Sequence, residues 1–327
     1  WADPVALADP LIGTGGMGFN VGSGVPGPKL PFGLIHPSPD TAGGIVSGVG
    51  AFHCGGYHAT DTKIVGFSHT HLYGVGIPEY GNVLFMPDVG PFDASSTTPA
   101  AYMSEFQKDT ESAGPGWYAV HLADPNIDVG LTATMRGAVH GYNWPDKLNP
   151  AGGEALLVVD LAHTVPDGHI LDGGLTLGDD GASLDGWVFN TNAFTERYGG
   201  IRVYFAARFD QPWTNAATWL DDDFDPGVDT RAGADIGALF AFDPNTPLEV
   251  QVAISFVSVE NAWMNLEAEV AGRDYSDVLA DAKAAWAEQL SVVQYGGGDD
   301  TERRIMATAL YHSFLMPDVF TDTNGEY

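Results

Sequence analysis

Glycine and proline divide most of this chain into short segments. The 327 residues include 42 glycines and 21 prolines, and these residues punctuate the chain closely up to about residue 260. Short apolar runs separated by such residues are typical of strands joined by turns. The punctuation therefore predicts a mainly β architecture for this part of the chain.

Several of these segments alternate between apolar and other residues, as strands with one buried face do. Every second residue from Ile201 to Phe209 is apolar, and residues 250–256 repeat the pattern. The run Ala155–Ala162 is apolar on both faces except for Asp160, as in a strand that lies between two layers. Two packed antiparallel sheets satisfy both patterns, so we predict a large antiparallel β-sandwich.

The pattern changes to helical after Asn261. Behind Ser276, apolar residues recur at every fourth position, which predicts an amphipathic helix with Ser276 as its N-cap and Gly296–Gly298 as its end. The residues of this predicted stripe are Val278, Ala282, Trp286 and Leu290.

A second predicted helix begins at Asp299. Glu302 follows three residues later, as in a capping box, and Pro317 closes the segment. Its predicted apolar stripe consists of Met306, Leu310 and Phe314. We therefore divide the chain into a β domain (1–262), a helical linker (263–298) and the first helix of another domain (299–327).

Composition excludes several classes of partner. The chain carries 43 acidic and 13 basic residues, a formal net charge of -30, which would repel nucleic acid and anionic membrane surfaces. No run approaches the roughly 20 apolar residues of a membrane span. The single cysteine, Cys54, excludes an intramolecular disulfide. The start at Trp1 without methionine and the end at Tyr327 suggest a trimmed or fragmentary sequence.

A glycine-rich segment near the amino terminus matches a nucleotide-binding pattern only formally. Gly13, Gly15 and Gly18 fit G-x-G-x-x-G, which binds dinucleotides when it lies between a strand and a helix. The following residues, 19–28, are rich in glycine and proline where that helix should begin. The segment is therefore either a tight surface loop or a loop whose backbone, at Gly15 and Gly16, approaches a sugar.

The densest group of polar and aromatic side chains lies between Phe52 and Gly81. If residues 64–71 are extended, His69 and His71 share one face, where they could bind a metal, line a polar pocket or be satisfied semi-buried groups. Hydrogen-bonding side chains beside an aromatic ring suit a sugar, which has hydroxyls and an apolar face. The candidates for such a site are Phe52, His53, Tyr57 and Asp61.

Other hydrolase signatures are absent from the sequence. We find no G-x-S-x-G nucleophile elbow, no H-E-x-x-H zinc motif and no P-loop lysine. Pairs of carboxylates are frequent because the chain is so acidic, so they cannot identify a catalytic acid and base.

A series of ordered motifs resembles glycoside hydrolase family 92. The motifs of the first third are Asp9-Pro-Leu-Ile-Gly-Thr-Gly-Gly16, Pro26-Gly-Pro-Lys-Leu-Pro-Phe-Gly33, Ser38-Pro-Asp-Thr41, Gly56-Tyr-His58, Gly66-Phe-Ser-His-Thr-His71 and Tyr80-Gly-Asn82. The later ones are Leu131-Thr-Ala-Thr-Met-Arg136, Ile254-Ser-Phe-Val-Ser-Val-Glu-Asn-Ala262, Asn265-Leu-Glu-Ala-Glu269, Ala309-Leu-Tyr-His312 and Asp322-Thr-Asn-Gly-Glu-Tyr327.

The resemblance implies a β-supersandwich packed on an α/α toroid. It also implies hydrolysis of terminal α-mannosides with inversion, one bound Ca²⁺ and a periplasmic or extracellular location. In the family the catalytic acid and base and most calcium contacts come from the toroid, so we expect them beyond Tyr327 and expect this chain to be inactive alone. The β domain would form one wall of the sugar pocket, and its own catalytic domain and α-mannoside glycans would be its partners.

The resemblance also adds Asp322 as a candidate for binding a sugar hydroxyl and assigns Gly15, Gly16, residues 52–61 and His69 to His71 to the pocket wall. Two departures fall in that wall. Phe52 and His53 precede Cys54 where many members have Gly-Trp-Asp, and Tyr73 stands where many have serine. A change of pocket residues alters which sugar or linkage is accepted.

Two rival interpretations remain. The chain could be a non-catalytic carbohydrate-binding β-sandwich, although the amphipathic helix after Asp299 would then lack a domain to cover its apolar stripe. A metal hydrolase that uses His69 and His71 is the other alternative, and it requires bound zinc.

Overall fold

A computed structural model describes residues 3–17, 22–45, 52–145 and 153–327. The strands in chain order are β1 (Ser38–Ala42), β2 (Lys63–Ser68), β3 (Leu84–Gly90), β4 (Ser104–Glu105), β5 (Ser112–Gly114), β6 (Trp117–Leu122), β7 (Ile127–Ala133), β8 (Gly137–Asn143), β9 (Glu154–Asp160), β10 (His169–Leu177), β11 (Ser183–Thr191), β12 (Ile201–Phe209), β13 (Asn215–Leu220), β14 (Asp223–Asp225), β15 (Thr230–Ala232), β16 (Ile236–Phe242) and β17 (Leu248–Ser255). The helices are α1 (Pro4–Leu7), α2 (Pro99–Tyr102), α3 (Val259–Glu269), α4 (Tyr275–Leu290) and α5 (Asp300–Ser313).

The strands of the described ranges form two antiparallel sheets. The first has eight strands in the order β1-β2-β3-β9-β16-β13-β14, with β4 beside β2, and the second has nine in the order β15-β10-β11-β12-β17-β8-β7-β6-β5. Their inner faces enclose one hydrophobic core, to which both sheets contribute. The predicted antiparallel β-sandwich followed by helices is confirmed.

Strand β9 lies at the centre of the first sheet, as its sequence predicted. It pairs with β3 on one side and β16 on the other, and all its residues after Glu154 are buried. Residues 94–97 contact β9 and α2 contacts β3, and the hydroxyl of Tyr102 in α2 donates to Asp160 Oδ2 over 2.6 Å. The only polar residue of the run therefore has a partner, as a buried carboxylate requires.

Helices α3 and α4 cover the outer face of the second sheet. Apolar side chains of β8, β12 and β17 pack there against Leu266 and Val270 from the α3 segment and Val278 of α4. The predicted α4 stripe is correct, because Val278, Ala282, Trp286 and Leu290 are its buried residues. The predicted N-cap is wrong by two positions, because Asp274 rather than Ser276 caps the helix, and the helix ends at Leu290, before the three glycines.

Helix α5 has the predicted capping box between Asp299 and Glu302, but its fully buried row lies one position after the predicted stripe, of which Leu310 and Phe314 are half-buried against the same apolar cluster. Ala307, Tyr311 and Leu315 are buried, whereas Met306 is 40% exposed. Both rows repeat every fourth residue and lie side by side on the helix, so periodicity alone does not choose between them. The neighbour decides: Tyr311 packs on Trp286 of α4 at 4.5 Å between ring centroids.

Trp286 joins the helices to the β domain. Its indole is wholly buried, and its Nε1 donates to the backbone carbonyl of Lys29 over 2.7 Å. The Lys29 ammonium, also buried, is paired with Asp318 just beyond α5. Within the described ranges, no helix is long and apolar enough to cross a membrane.

We expect Trp286→Ala to lower the free energy of unfolding by about 3–5 kcal/mol, because it opens a cavity and removes the donor to Lys29. The measurement is equilibrium denaturation followed by tryptophan-independent circular dichroism. Glu288→Ala, on the exposed side of the same helix, is the control and should change the value by less than about 0.5 kcal/mol. Equal effects from both changes would contradict the role given to Trp286.

Candidate functional site

Two loops meet at one end of the sandwich. The glycine-rich loop and residues 52–61 are joined by a hydrogen bond from the amide of Ala59 to the carbonyl of Thr14 at 2.9 Å. The imidazole of His58 adds a bond from Nε2 to the carbonyl of Gly16 at 3.0 Å. A Cβ on Gly15 would lie 2.9 Å from the Cβ of Ala59, so glycine permits this close approach.

The glycine-rich loop is not a nucleotide-binding turn in the part that the structure describes. Residues 22–30 contain no helix, and the amides of Gly22 and Gly24 instead donate to the carbonyls of Gly15 and Gly13. Gly18, the last glycine of the formal pattern, lies outside the described residues. The loop therefore folds back on itself and presents backbone to the 52–61 segment.

His53 and Asp61 form a buried pair that supports the second loop. His53 Nε2 donates to Asp61 Oδ2 over 2.6 Å, and Thr41 and the Gly44 amide donate to the same carboxylate at 2.8 and 2.9 Å. Burial raises the pKa of Asp61, but the hydrogen bonds from His53 and Thr41 outweigh it and lower the pKa below its usual value. Asp61 is thus an ionised anchor of the loop.

His53 keeps one nitrogen for another partner. Its side chain is almost fully buried, yet Nδ1 has no hydrogen-bond partner among the described residues. Phe52, immediately before it, is half-buried. These two side chains therefore retain surface or hydrogen-bonding capacity that a ligand can use.

Tyr57 is committed to the interior. Its hydroxyl donates to the buried carboxylate of Glu111 at 2.9 Å, and Tyr118 donates to Glu111 at 2.8 Å. The ammonium of Lys108 donates to the Tyr57 hydroxyl over 2.7 Å. Burial, followed by the charge of Glu111, raises the pKa of Tyr57 far above its usual value. Its polar end is therefore already satisfied within the protein.

His71 belongs to a second buried carboxylate cluster, centred on Asp40. Asp40 Oδ1 lies 3.1 Å from His71 Nε2, and Oδ2 accepts a hydrogen bond of 2.7 Å from His163 Nε2. Burial raises the pKa of Asp40, but the His71 and His163 imidazoles lower it well below its usual value. In turn, burial lowers the pKa of His163 while its bond to Asp40 raises it, with a net increase.

His69 lies in the core rather than at a ligand-binding surface. Its Nδ1 donates to the carbonyl of Val83 at 2.6 Å, its Nε2 accepts from His140 Nε2 at 3.1 Å, and the His140 Nδ1 accepts from the Tyr142 hydroxyl at 2.6 Å. The His69 and His140 rings are stacked at 4.9 Å. Each ring nitrogen of His69 and His140 therefore has a hydrogen-bond partner when both imidazoles are neutral.

His69 and His71 do not offer two free nitrogens to one metal. Strand β2 ends at Ser68, and the two imidazoles are already bonded to different partners, Val83 and His140 in one case and His36 and Asp40 in the other. Within the described ranges no group of three or more His, Cys, Asp or Glu side chains is arranged to hold a metal ion. These residues therefore do not fit a calcium or zinc site.

Asp322 fixes the end of the chain against α3. Its Oδ2 accepts from Ser255 at 2.6 Å and from Asn261 at 2.9 Å, and its Oδ1 accepts from Asn265 at 2.7 Å. The residue is only 2% exposed. Three donors occupy this carboxylate, so the structure gives it a local structural role in the turn after α5.

An acidic cavity that the sequence did not reveal opens beside the Asp40 cluster. Its volume is about 580 Å³, and its walls come from residues 94–99, 160–168 and 219–235. His163, Asp160 and Trp219 line it together with Asp235. Burial, followed by the charge of Asp160, raises the pKa of Asp235. No sequence motif could signal this cavity, because separate strands bring its residues together.

The family of the chain follows from comparison with known proteins. Residues 7–255 match the family model of the glycosyl hydrolase family 92 N-terminal domain, and residues 261–327 match that of the glycosyl hydrolase family 92 catalytic domain. The chain belongs to glycoside hydrolase family 92. The resemblance to this family that the ordered motifs indicated is therefore confirmed.

Solved family 92 structures share the fold along the whole chain. A family 92 α-mannosidase of Bacteroides thetaiotaomicron, in complex with mannoimidazole, is 27% identical, with a TM-score of 0.86 over 99% of this chain and 41% of its own. An inverting mannosidase of the same organism is 26% identical, with a TM-score of 0.82 and similar coverage of 99% and 41%.

A curated relative also matches. An uncharacterized secreted glycosidase of Arthroderma benhamiae is 24% identical over 361 residues, which cover 98% of this chain and 43% of the relative. This family 92 chain thus spans about two fifths of the length of the relatives described here.

The nine predicted site residues fall into three groups. Gly15, Gly16, Phe52, His53 and Asp61 lie in or directly support the two joined loops. Tyr57, His69 and His71 are buried with their polar atoms satisfied nearby, and Asp322 bonds to α3. Sequence reasoning missed Asp40, His58, Glu111 and His163 as supports. Of these, Asp40 and His58 stood inside quoted motifs, whereas Glu111 and His163 carried no signal.

Buried neutral histidines make stability depend on pH. Burial lowers the pKa of His69 to about 4 and lowers the pKa of His36 and His140 well below the usual value. Unfolded, these imidazoles bind a proton near pH 6.5. The unfolded state therefore binds more protons below that pH, and we expect the free energy of unfolding to decrease as pH falls from about 6.5 towards 4.

Urea denaturation at about pH 7 and about pH 5 measures this dependence. His140→Phe removes one buried imidazole and should reduce the difference between the two pH values, although it lowers stability at pH 7. His121→Ala, at a partly exposed histidine that bonds to Asp128, should retain the difference. An unchanged difference in His140→Phe would refute the explanation.

Proposed function

We propose that the gene product carrying this chain hydrolyses terminal α-mannosides with inversion and depends on calcium. Family membership supports the glycosidase class, and the solved α-mannosidases that share the fold support the sugar. The strongest support for this proposal is the structural match of 99% of the chain to the mannosidase in complex with mannoimidazole. Inversion would require two carboxyl groups about 6.5–9.5 Å apart, with a water between them.

We assign one wall of the mannose pocket to the two joined loops. Gly15 and Gly16 would offer backbone groups, Phe52 an apolar ring and His53 a hydrogen-bonding nitrogen. Asp61 and His58 would hold these groups in place through the bonds to His53 and Gly16. Tyr57, His69, His71 and Asp322 would support the wall from behind, since their polar atoms are already bonded within the protein.

The catalytic carboxylates and the calcium ligands would come from residues beyond Tyr327. In this proposal the domains divide at 262 and 298, and the β domain shapes the pocket while the helical domain performs the chemistry. The described residues do not fit calcium, so none of them is assigned to the ion. The α-mannoside glycan would be met outside the cytoplasm or in the periplasm; the relative from Arthroderma benhamiae is described as secreted.

The first test compares the complete gene product with residues 1–327 on an aryl α-mannoside, with calcium and with chelator. We expect calcium-dependent release of mannose by the complete protein and none by the shorter chain. Nuclear magnetic resonance of the first-formed anomer reports inversion. Inactivity of the complete protein on every α-mannoside would refute the proposed sugar.

The second test addresses the pocket wall. Phe52→Ala in the complete protein should lower kcat/KM for an aryl α-mannoside by about tenfold, because the sugar loses an apolar surface worth roughly 1.4 kcal/mol. Phe92→Ala, which removes another half-buried phenylalanine beside Phe224, is the control and should remain within about twofold. Equal losses would mean that Phe52 acts only through packing.

A further inference from the structure

A polar cavity opens at one end of strands β6, β7 and β8. Its volume is about 520 Å³, and ligand pockets usually measure roughly 300–1,000 Å³. The described residues of its lining include three asparagines and three prolines, together with Trp144. The indole of Trp144 is buried and its Nε1 donates to the carbonyl of Asp88 over 3.1 Å, so the core fixes this wall. A concave surface with apolar faces and a few polar groups is typical of a ligand-binding site.

The cavity lies at the opposite end of the sandwich from the two joined loops. Strand β8 begins at the end that carries the candidate site, because just before it the carbonyl of Met135 accepts from the amide of Leu34. Close to Leu34 in the chain, the carbonyl of His36 accepts from Nδ1 of His71. Strand β8 then runs for seven residues, roughly 20 Å, to Asn143 in the cavity lining. The cavity is therefore remote from the proposed mannose wall.

Three polar side chains cross the outer face of the second sheet beside this cavity. In the strand register, His121 of β6 is opposite Asp128 of β7, and Asp128 is opposite Asn143 of β8. The residues next to them along each strand are buried in the core, so the row itself faces outward, and all three members line the cavity. Neighbouring strands lie about 4.8 Å apart, and the row therefore presents polar groups at intervals of that size.

The row contains one internal pair and one unused amide. His121 Nδ1 donates to Asp128 Oδ1 over 2.8 Å. The side-chain amide of Asn143 has no hydrogen-bond partner among the residues that the structure describes. Asn143 is exposed, so its donor and acceptor are accessible from the cavity.

Asn126 supplies another amide at the turn between β6 and β7. Its backbone has a φ of 57°, in the left-handed region that glycine and asparagine adopt most readily. Its exposed side chain lines the cavity and has no hydrogen-bond partner within the described ranges. Glycine would serve the backbone of this turn equally well, so the turn does not require the amide. Like that of Asn143, this amide is available to a ligand.

The lining selects a neutral ligand that is rich in hydroxyl groups. Its described residues include neither lysine nor arginine, so an anion would meet no counter-charge. The one carboxylate among them, Asp128, is already paired with His121. A side-chain amide both donates and accepts hydrogen bonds, and so does each hydroxyl of a sugar. The prolines and Trp144 offer apolar surface to the faces of the sugar ring.

An extended peptide fits this cavity less well than a glycan. Each of the strands β6, β7 and β8 has a hydrogen-bonded neighbour on both sides in the second sheet. These strands therefore offer no free edge to which a peptide could add as a further strand. Recognition must come from the side chains, and amides beside proline and tryptophan suit hydroxyls on an apolar ring.

We propose that this cavity is a second, non-catalytic site that binds a neutral glycan. Asn126 and Asn143 exchange hydrogen bonds with hydroxyls of the glycan, and Trp144 and the prolines contact its apolar faces. The cavity is too far from the candidate pocket to contact the same sugar unit, so it holds a separate part of a polysaccharide. The inference goes beyond the proposed mannosidase activity and does not depend on it.

The test is affinity electrophoresis of the complete gene product through gels that contain soluble α-mannan, β-glucan or xylan. We expect at least one of these neutral polysaccharides to retard the wild-type protein. Asn143→Ala removes one amide, and Asn126→Gly removes the other without straining its turn. Each change should raise the dissociation constant obtained from the retardation roughly three- to tenfold, as expected for one lost hydrogen bond.

Asn215→Ala is the matched control. Asn215 is an exposed asparagine of β13, in the other sheet and outside this cavity, so its replacement should leave the retardation unchanged. Hydrolysis of an aryl α-mannoside distinguishes this cavity from the candidate pocket. We expect kcat/KM on that small substrate to remain within about twofold of wild type in all three variants.

Absence of retardation by all three polysaccharides, or equal retardation of the wild type and both cavity variants, overturns the glycan site. A parallel loss of kcat/KM on the aryl mannoside also overturns it, because the two asparagines would then act through the candidate pocket. Thermal melts identify a variant that fails to fold, and the other cavity variant then decides. A complete protein that binds a polysaccharide at this site but cleaves no α-mannoside refutes the proposed function and upholds the glycan site.

Discussion

The end of the sandwich that carries the candidate site depends on the buried carboxylate of Asp40. This side chain lies on β1 and holds His71, which follows β2, and His163, which follows β9. Gly56 packs directly against it, since a Cβ there would overlap Asp40 Oδ1. A buried charge is tolerated only when it is paired and hydrogen-bonded, so these loops must keep their positions for the fold to be stable.

The same requirement separates supporting residues from residues that can meet a ligand. The carboxylate oxygens of Asp61, Glu111 and Asp322 accept hydrogen bonds from donors within the protein. Most of the histidines near them also have hydrogen-bond partners within the protein. In the two joined loops, the described groups that are not committed in this way include the half-buried ring of Phe52 and Nδ1 of His53. In the proposed pocket wall, specificity would therefore come from polar atoms that folding leaves unpaired rather than from the many carboxylates of the chain.

The helices join the candidate site to residues 261–327, which match the family 92 catalytic domain. Trp286 and Tyr311 pack together and join α4 and α5 to the loop at Lys29. Thr308 at the middle of α5 also accepts a hydrogen bond from the amide of Asp9, which precedes the glycine-rich loop. The first helices of the catalytic-domain segment are thus in contact with the loop that forms the proposed pocket wall. Because protein interiors are closely packed, a substitution that shifts these helices is expected to shift the glycine-rich loop as well.

The sequence by itself determined the β-sandwich, the two helices, the α4 stripe and the family, because period, capping and ordered motifs are local signals. It also placed the glycine-rich loop and residues 52–61 among the candidates. Only the tertiary structure decided which row of α5 is buried, that Asp322 bonds to α3, and that His69 pairs with His140. It alone brought Asp40 to His163. These contacts join residues far apart in the chain, and hydrogen-bond partners at such separations leave no periodic trace in the sequence.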